Sequence, residues 1–444
     1  MEDRIKDRIK DHMEDDIVKF YKEDIFKRNK YLNIIISLLN KEDRHFSISL
    51  DGRWGSGKTV FLKQLEYLAN RTDIPKTSED EEIIKFKDDY IAIYFDSWSY
   101  DKYDDPLLTI LYLLINQLKD MELLKDKVKE TIAKLLSSLG YVLANTILEK
   151  FGIDSILDNY QNINAKKNDQ SMYENIMSIE EKIDLIGNSL NEILGYTKKK
   201  RILFIMDELD RCNPNFAISL LEITKHIFIS PNINCIFGIN KFELSKIISH
   251  YYGDIDSITY LDKIFNYSFN LPIPTKIHLR NYIEYIYTSI YKKDIPDHSS
   301  KLDGKLSILD LFIHELPKIF NNANVSLREI NFITSQLDSI RWEDINYYRY
   351  DEQGKKRRLS RLKTDVNSLI FIYLCILKTK DYLLFYTIIS DPMNPSNIEV
   401  LKDNVSSLCN IQDRDKDYFS KISYNGGNEY RNYKKMIDTI SFLG

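Results

Sequence analysis

Glycine and proline are scarce in this chain, 14 and 10 in 444 residues, which leaves little material for long flexible linkers and points to a helix-rich architecture. The four cysteines (212, 235, 375 and 409) show no C-x-x-C spacing, so neither a disulfide framework nor a zinc site is indicated. Neither sign of charge dominates: 62 basic residues face 67 acidic ones, and a net charge of −5 gives no global pull toward nucleic acid. The opening 16 residues mix acids and bases densely, so no secretory signal peptide is expected there. The most apolar helical stretch, Leu135 to Leu148, falls short of the ~20 residues a membrane span needs. Ser137, Ser138 and Asn145 interrupt it, and a buried or interfacial helix is expected there rather than a transmembrane one. What remains is an ordinary globular composition, 43% hydrophobic and 29% charged with 30 Tyr and 21 Phe, long enough for two or three domains. A cytoplasmic enzyme is the economical reading, and peripheral membrane association is compatible with it.

The chain is organised around Phe46 to Leu65. Gly52 to Thr59 fits G-x-x-x-x-G-K-[ST], the phosphate-cradling P-loop. An apolar run of strand length, Phe46 to Leu50, precedes it, and Val60, Phe61, Leu65 and Leu68 follow at helical spacing. Glycines at 52, 55 and 57 allow backbone conformations closed to other residues, so that successive N–H groups point at phosphate beside a helix N-terminus. Lys58 is expected at the terminal phosphates and the Thr59 hydroxyl on Mg²⁺. The candidate nucleotide contacts are Gly52, Trp54, Gly55, Ser56, Gly57, Lys58, Thr59 and Val60.

A second anchor is Arg201-Ile202-Leu203-Phe204-Ile205-Met206-Asp207-Glu208. Its unbroken apolar run predicts a strand buried on both faces, with acids where it emerges, as in a Walker B segment. Asp207 would bind Mg²⁺ through water, and Glu208 would polarise the attacking water as general base. Further strands are predicted at Tyr90 to Asp96, Ile233 to Ile239 and Tyr267 to Leu271. Asn240, at the end of the fourth strand, either senses the γ-phosphate or serves as a turn residue. Five strands separated by helical segments predict an α/β fold, a doubly wound parallel sheet with nucleotide at its carboxyl edge.

Around these anchors, Asp24 to Leu39 predicts an amphipathic helix, with Ile25, Tyr31, Ile34, Ile35, Leu38 and Leu39 on its apolar face. It either walls a base or simply covers the sheet. Thr72 to Asp89, with the acidic run 79–82, reads as a solvated loop. Asp105-Pro106 marks a helix start, as cap and first-turn residue. Tyr347 to Tyr350 followed by Lys355, Lys356, Arg357, Arg358, Arg361 and Lys363 is either a solvated loop or a contact for a nucleic-acid backbone. Val366 to Ile389 is predicted as two short helices divided at Lys378, Lys380 and Asp381.

Several stretches together resemble the KAP family of P-loop NTPases, in the AAA-like (ASCE) division and of bacterial type. They are Trp54-Gly55-Ser56-Gly57-Lys58-Thr59, Phe95-Asp96-Ser97-Trp98-Ser99-Tyr100 with Asp104-Asp105-Pro106, Asp207-Glu208-Leu209-Asp210-Arg211-Cys212, Tyr260 to Phe265, and Ser326-Leu327-Arg328-Glu329. The resemblance covers roughly residues 20–390. It implies a helical lid whose Arg328 senses bound nucleotide, although this chain has Leu327 where the family usually has Pro. Family members often insert transmembrane hairpins between the Walker motifs, and the insertion here is too short and broken for that.

The expected parse is a charged segment (1–20), two parts of a P-loop core (21–119 and 199–275) around a helical insertion (120–198), a helical lid (276–340) and a C-terminal helical region (341–444). The expected function is Mg²⁺-dependent ATP hydrolysis that switches or assembles a partner effector. The resemblance points to bacterial antiphage defence as the setting. If subunits form a homo-oligomeric ring, Arg211 or Lys263 could act in trans as an arginine-finger-like cation; otherwise Arg211 pairs locally with Asp210. Two alternatives stand beside this. One is a nucleotide-binding scaffold with negligible turnover; the other is a nucleic-acid-stimulated motor using Lys355 to Arg358. Asn240-Lys241-Phe242-Glu243 comes nearest to a guanine-specific Asn-Lys-x-Asp element, so the residues alone leave ATP against GTP open.

Overall fold

The apolar runs flanking the two anchors become neighbouring strands of one parallel sheet in the computed structural model. It describes residues 17–70, 81–103, 106–123, 125–139, 179–227, 230–290, 316–339, 348–350, 356–358 and 361–409, with helical positions at 419, 433, 436, 437 and 440. The chain divides into two units, residues 1–272 and 273–444.

In the first unit, helix α1 (Asn29–Lys41) leads into β1 (Ser47–Asp51), followed by α2 (Lys58–Asn70) and α3 (Glu81–Asp89). β2 (Tyr90–Asp96) ends in a one-turn helix, Ser97–Tyr100, before α4 (Pro106–Asp120), α5 (Asp126–Leu139) and α6 (Ile179–Tyr196). Then come β3 (Arg201–Asp207), α7 (Pro214–Ile227), β4 (Ile233–Ile239), α8 (Lys241–Tyr252), α9 (Ser257–Ile264) and β5 (Tyr267–Asn270). The strand order is β2-β3-β4-β1-β5, every pair parallel. β4 therefore separates the P-loop strand β1 from the acid-bearing strand β3.

Alternation along the strands splits the apolar side chains between two layers. Ile91, Ile93 and Phe95 of β2, Phe204 and Met206 of β3, and Cys235 and Phe237 of β4 face α4 to α9. Ile48 and Leu50 of β1, Ala92, Leu203, Ile205 and Ile236 face α1, α2 and α3. Both faces are dry, which is why the inner strands read as unbroken apolar runs. The edge strand β5 is only half-buried.

Three expectations are corrected here. The helix predicted from Asp24 begins at Asn29, because Asp24 and Lys27 take left-handed φ of 43° and 53°. Its buried face is Leu32, Ile35, Ile36 and Leu39, while Ile34 is exposed. The loop predicted over 72–89 contains α3. Glu81 and Glu82 occupy its first turn, where acids suit the helix dipole, and only Ile83 and Phe86 need burial to dock it.

The second unit contains α10 (Lys276–Tyr285), continued by a π-helical turn at Ile286–Ile290, then α11 (Leu316–Asn322) and α12 (Leu327–Ser339). A short antiparallel pair joins Tyr348–Tyr350 to Lys356–Arg358, with Arg349 opposite Arg357. Part of the predicted basic loop is therefore strand, and Arg361 and Lys363 open a helix. That helix, α13 (Arg361–Lys380), precedes α14 (Tyr382–Ser390) and α15 (Pro395–Cys409). The break falls at Asp381 as predicted, but the first helix is 20 residues long. Lys378 and Lys380 complement its C-terminal dipole, while Asp381 accepts from Leu384 N–H at 3.0 Å and starts the next. Among the described residues no helix is long and apolar enough to cross a membrane. Asp105, Lys355 and most of Leu135 to Leu148 lie outside the described residues.

Candidate functional site

The loop after β1 is shaped by two left-handed glycines, Gly55 at φ 74° and Gly57 at φ 92°, a conformation that a Cβ disfavours. α2 begins at Lys58 directly behind them, and the N–H groups of a helix's first turn have no partner within the helix. Lys58 Nζ donates to the carbonyls of Gly52 at 2.6 Å and Arg53 at 3.3 Å. Burial lowers its pKa, opposed by the charges of Asp210, Asp207 and Asp51. Ser56 Oγ is buried with no hydrogen-bond partner. A Cβ on Gly52 would come within 2.9 Å of that hydroxyl, so the cradle has no room for another side chain.

Asp207 ends β3 and is fully buried. Its carboxylate accepts from the Tyr94 hydroxyl at 2.9 Å and the Glu208 N–H at 3.0 Å, and it is hydrogen-bonded to the Thr59 side chain. Burial raises its pKa; these bonds and the Lys58 charge oppose the rise without cancelling it. The fold thus brings Lys58, Thr59 and Asp207 together from two strands that are not neighbours. Among the described residues no group of three or more His, Cys, Asp or Glu could hold a metal by itself. A hydroxyl and one carboxylate suit a hard cation whose remaining ligands are phosphate oxygens and water, as Mg²⁺ prefers.

Glu208 has left-handed backbone, φ 60° and ψ 25°, and opens the 3₁₀ turn Leu209–Arg211. Its carboxylate is paired with Arg211 at 3.2 Å. The local pair with Asp210, offered as the alternative to a role in trans, is not formed: the αL turn carries Arg211 back onto Glu208, while Asp210 accepts from the Trp54 indole N–H. Arg211 lies over two indoles, 5.7 Å from the Trp54 ring centre and 5.4 Å from that of Trp98.

Asn240 caps α8, its side-chain oxygen accepting from Glu243 N–H at 3.4 Å, and it sits one residue beyond the pairing of Asp51 with Ile239. The cap uses the oxygen and leaves the amide NH₂ as the end with protons to give. Val60 is partly exposed on the first turn of α2, and Lys263 is exposed in the last turn of α9. Arg328 is exposed in the first turn of α12, in the second unit.

Three residues escaped the sequence reading. Tyr94 reads only as one more apolar strand position. Arg28, buried in the segment before α1, donates to Ser56 O at 3.0 Å and Pro272 O at 2.7 Å, and burial lowers its pKa to about 10. Gly238 did carry a signal, since a glycine inside an apolar strand marks a close approach.

The family description "KAP family P-loop domain" matches residues 28–343. An uncharacterized protein of Methanocaldococcus jannaschii is 27% identical over 168 residues, covering 32% of this chain and 86% of that protein. The solved structure of C. elegans PCH-2 aligns at 12% identity with a TM-score of 0.29; the alignment covers 72% of this chain and 63% of that one.

Proposed function

The chain belongs to the KAP family of P-loop NTPases, and from that premise we propose that it hydrolyses ATP with Mg²⁺ and uses its nucleotide state to switch or assemble a partner effector, in bacterial antiphage defence. The observation that carries the catalytic part is the meeting of Lys58, Thr59 and the buried Asp207 at one edge of the sheet.

In this reading the left-handed glycine loop and the start of α2 hold the phosphates by N–H groups, and the Ser56 hydroxyl gains an acceptor. Lys58 exchanges backbone carbonyls for phosphate oxygens, which relieves the cost of burying its charge. Thr59 and Asp207 would hold Mg²⁺, which when bound neutralises charge on the phosphates. Tyr94 keeps the Asp207 carboxylate oriented. Glu208 takes the proton of the attacking water once Arg211 releases it, and Asn240 orients the γ-phosphate through its amide NH₂. Arg211 then serves as a cation for the developing charge, a role also open to Lys263 in trans in a homo-oligomer, and Arg328 reports nucleotide from the helical lid.

The test is phosphate release by the purified chain with ATP and Mg²⁺. Wild type should turn over, Glu208→Gln should bind ATP without turnover, and Lys58→Ala should not bind. Equal hydrolysis by wild type and Glu208→Gln would reject the assignment of the base. One observation favours a second reading, a nucleotide-locked scaffold with negligible turnover: the Glu208 carboxylate is already engaged by Arg211. Phosphate release that stays absent with candidate partners present would select it.

A further inference from the structure

Two indoles and a guanidinium meet beside Glu208, and neither the phosphate cradle nor the metal-binding pair accounts for them. Trp54 comes from the P-loop, Trp98 from the one-turn helix after β2, and Arg211 from the turn after β3. Both indoles remain about half exposed, at 47% and 51%, so burial in a core is not what holds them there. Local bonds fix the Trp54 indole and the turns that carry the other two. Trp54 is tied to Asp210 through its indole N–H. Asp96 caps the Trp98 turn by accepting from Ser99 N–H at 3.1 Å and from its hydroxyl at 2.7 Å. Asp101 accepts from Asn213 N–H at 3.1 Å, which joins the turn carrying Trp98 to the turn carrying Arg211.

We propose that Trp54 and Trp98 are positioning residues for Arg211: their ring faces hold its guanidinium beside Glu208 and keep it within reach of the terminal phosphate when Glu208 turns to the attacking water. An arginine on an open turn samples many rotamers, and each must be lost before its charge is useful. Attraction between a cation and an aromatic face removes part of that cost beforehand while leaving the N–H groups at the guanidinium edge able to donate. The same contacts permit exchange of partners, because the guanidinium can turn from a carboxylate to a phosphate oxygen without leaving the rings. This deepens the proposed ATPase reading and rests on it.

The experiment compares Trp98→Ala and Trp98→Phe in the full chain, by phosphate release against ATP concentration, with thermal melts to verify folding. Trp98→Ala should lower kcat about 2- to 30-fold with KM little changed, and Trp98→Phe should recover most of the loss because a ring face remains. The proposal is overturned if Trp98→Ala keeps the wild-type kcat, if the two variants lose equally, or if the loss lies wholly in KM. A second measurement needs no turnover. The chain has three tryptophans, and in a Trp342→Phe background the emission reports Trp54 and Trp98 alone. Removing the guanidinium with Arg211→Met should change that emission in nucleotide-free protein, whereas Arg211→Lys should keep most of it. An unchanged spectrum overturns the proposal even with turnover intact. If wild type releases no phosphate, the ATPase reading falls, and the emission decides separately whether the rings hold Arg211.

Discussion

Gly238 lies opposite Asp207 in the parallel register of β3 and β4, and a Cβ built on it would stand 2.5 Å from Asp207 Oδ1 and closer still to Leu62 Cδ1. The missing side chain makes room for the carboxylate on one side and for the P-loop helix on the other.

Gly238→Ala should therefore press on the Asp207 carboxylate and on Leu62 of the P-loop helix while leaving residues Gly52 to Thr59 themselves unchanged. Overpacking of this kind costs about 1–3 kcal/mol. The expected result is a lower melting temperature together with a larger loss of nucleotide affinity in Mg²⁺ than in its absence. Isothermal titration with and without Mg²⁺ checks it; an equal loss in both conditions would mean that Asp207 had not moved.

Asp207 predicts a pH dependence. Burial raises its native pKa above the ordinary carboxylate value, so the protonated acid favours the fold. That contribution is complete below the unfolded-state pKa and is lost as pH rises through the raised native one. Nucleotide-free protein should lose stability over that interval on going from acid toward neutral pH, and Asp207→Asn should flatten the trend while abolishing the Mg²⁺ dependence of binding. Thermal melts across the range read both; an identical slope in the variant would remove Asp207 as its source.

Tyr94 donates to Asp207 Oδ2 at 2.9 Å from the adjacent strand. Tyr94→Phe keeps the ring and removes that donor. Outer partners of metal ligands typically control affinity by about 10–100-fold, and a loss of that order is expected for Mg²⁺-dependent nucleotide binding, with the fold intact by circular dichroism. Wild-type Mg²⁺ affinity in the variant would show that Thr59 and the Glu208 N–H suffice to orient the carboxylate.

Arg28 joins the segment before α1 to Ser56 of the P-loop and to Pro272 after β5. Arg28→Ala leaves two carbonyls without their donor, and a destabilisation of about 2–4 kcal/mol is expected. Arg28→Lys keeps a cationic donor but lacks the two-nitrogen fork that reaches both carbonyls, and should recover part of the stability. Denaturant melts of the two variants test the order; equal stability of alanine and lysine would mean that neither the stem nor a single ammonium replaces any of what the guanidinium supplies.

Much of the sheet was legible from local pattern. Ile202 to Met206 and Ile233 to Phe237 are uncharged because both faces of the sheet are covered, so they could hardly be anything but inner strands. α3 was not legible, because its acidic first turn resembles a solvated loop and only Ile83 and Phe86 mark the buried side. The partner of Arg211, for which Asp210 stood as one of two alternatives, was not legible for a different reason. It depends on the left-handed backbone of Glu208, which a non-glycine residue seldom adopts and which local sequence does not announce.

By itself the amino-acid sequence determined the strands, the glycine loop and the acids at a strand end, since each follows from interactions between residues close along the chain. Tertiary structure alone decided which of those strand ends meet. Neighbours in a parallel sheet are joined by long crossovers, so insertion of β4 between β1 and β3, the approach of Gly238 to Asp207 and the gathering of Trp54, Trp98 and Arg211 depend on packing across the whole sheet.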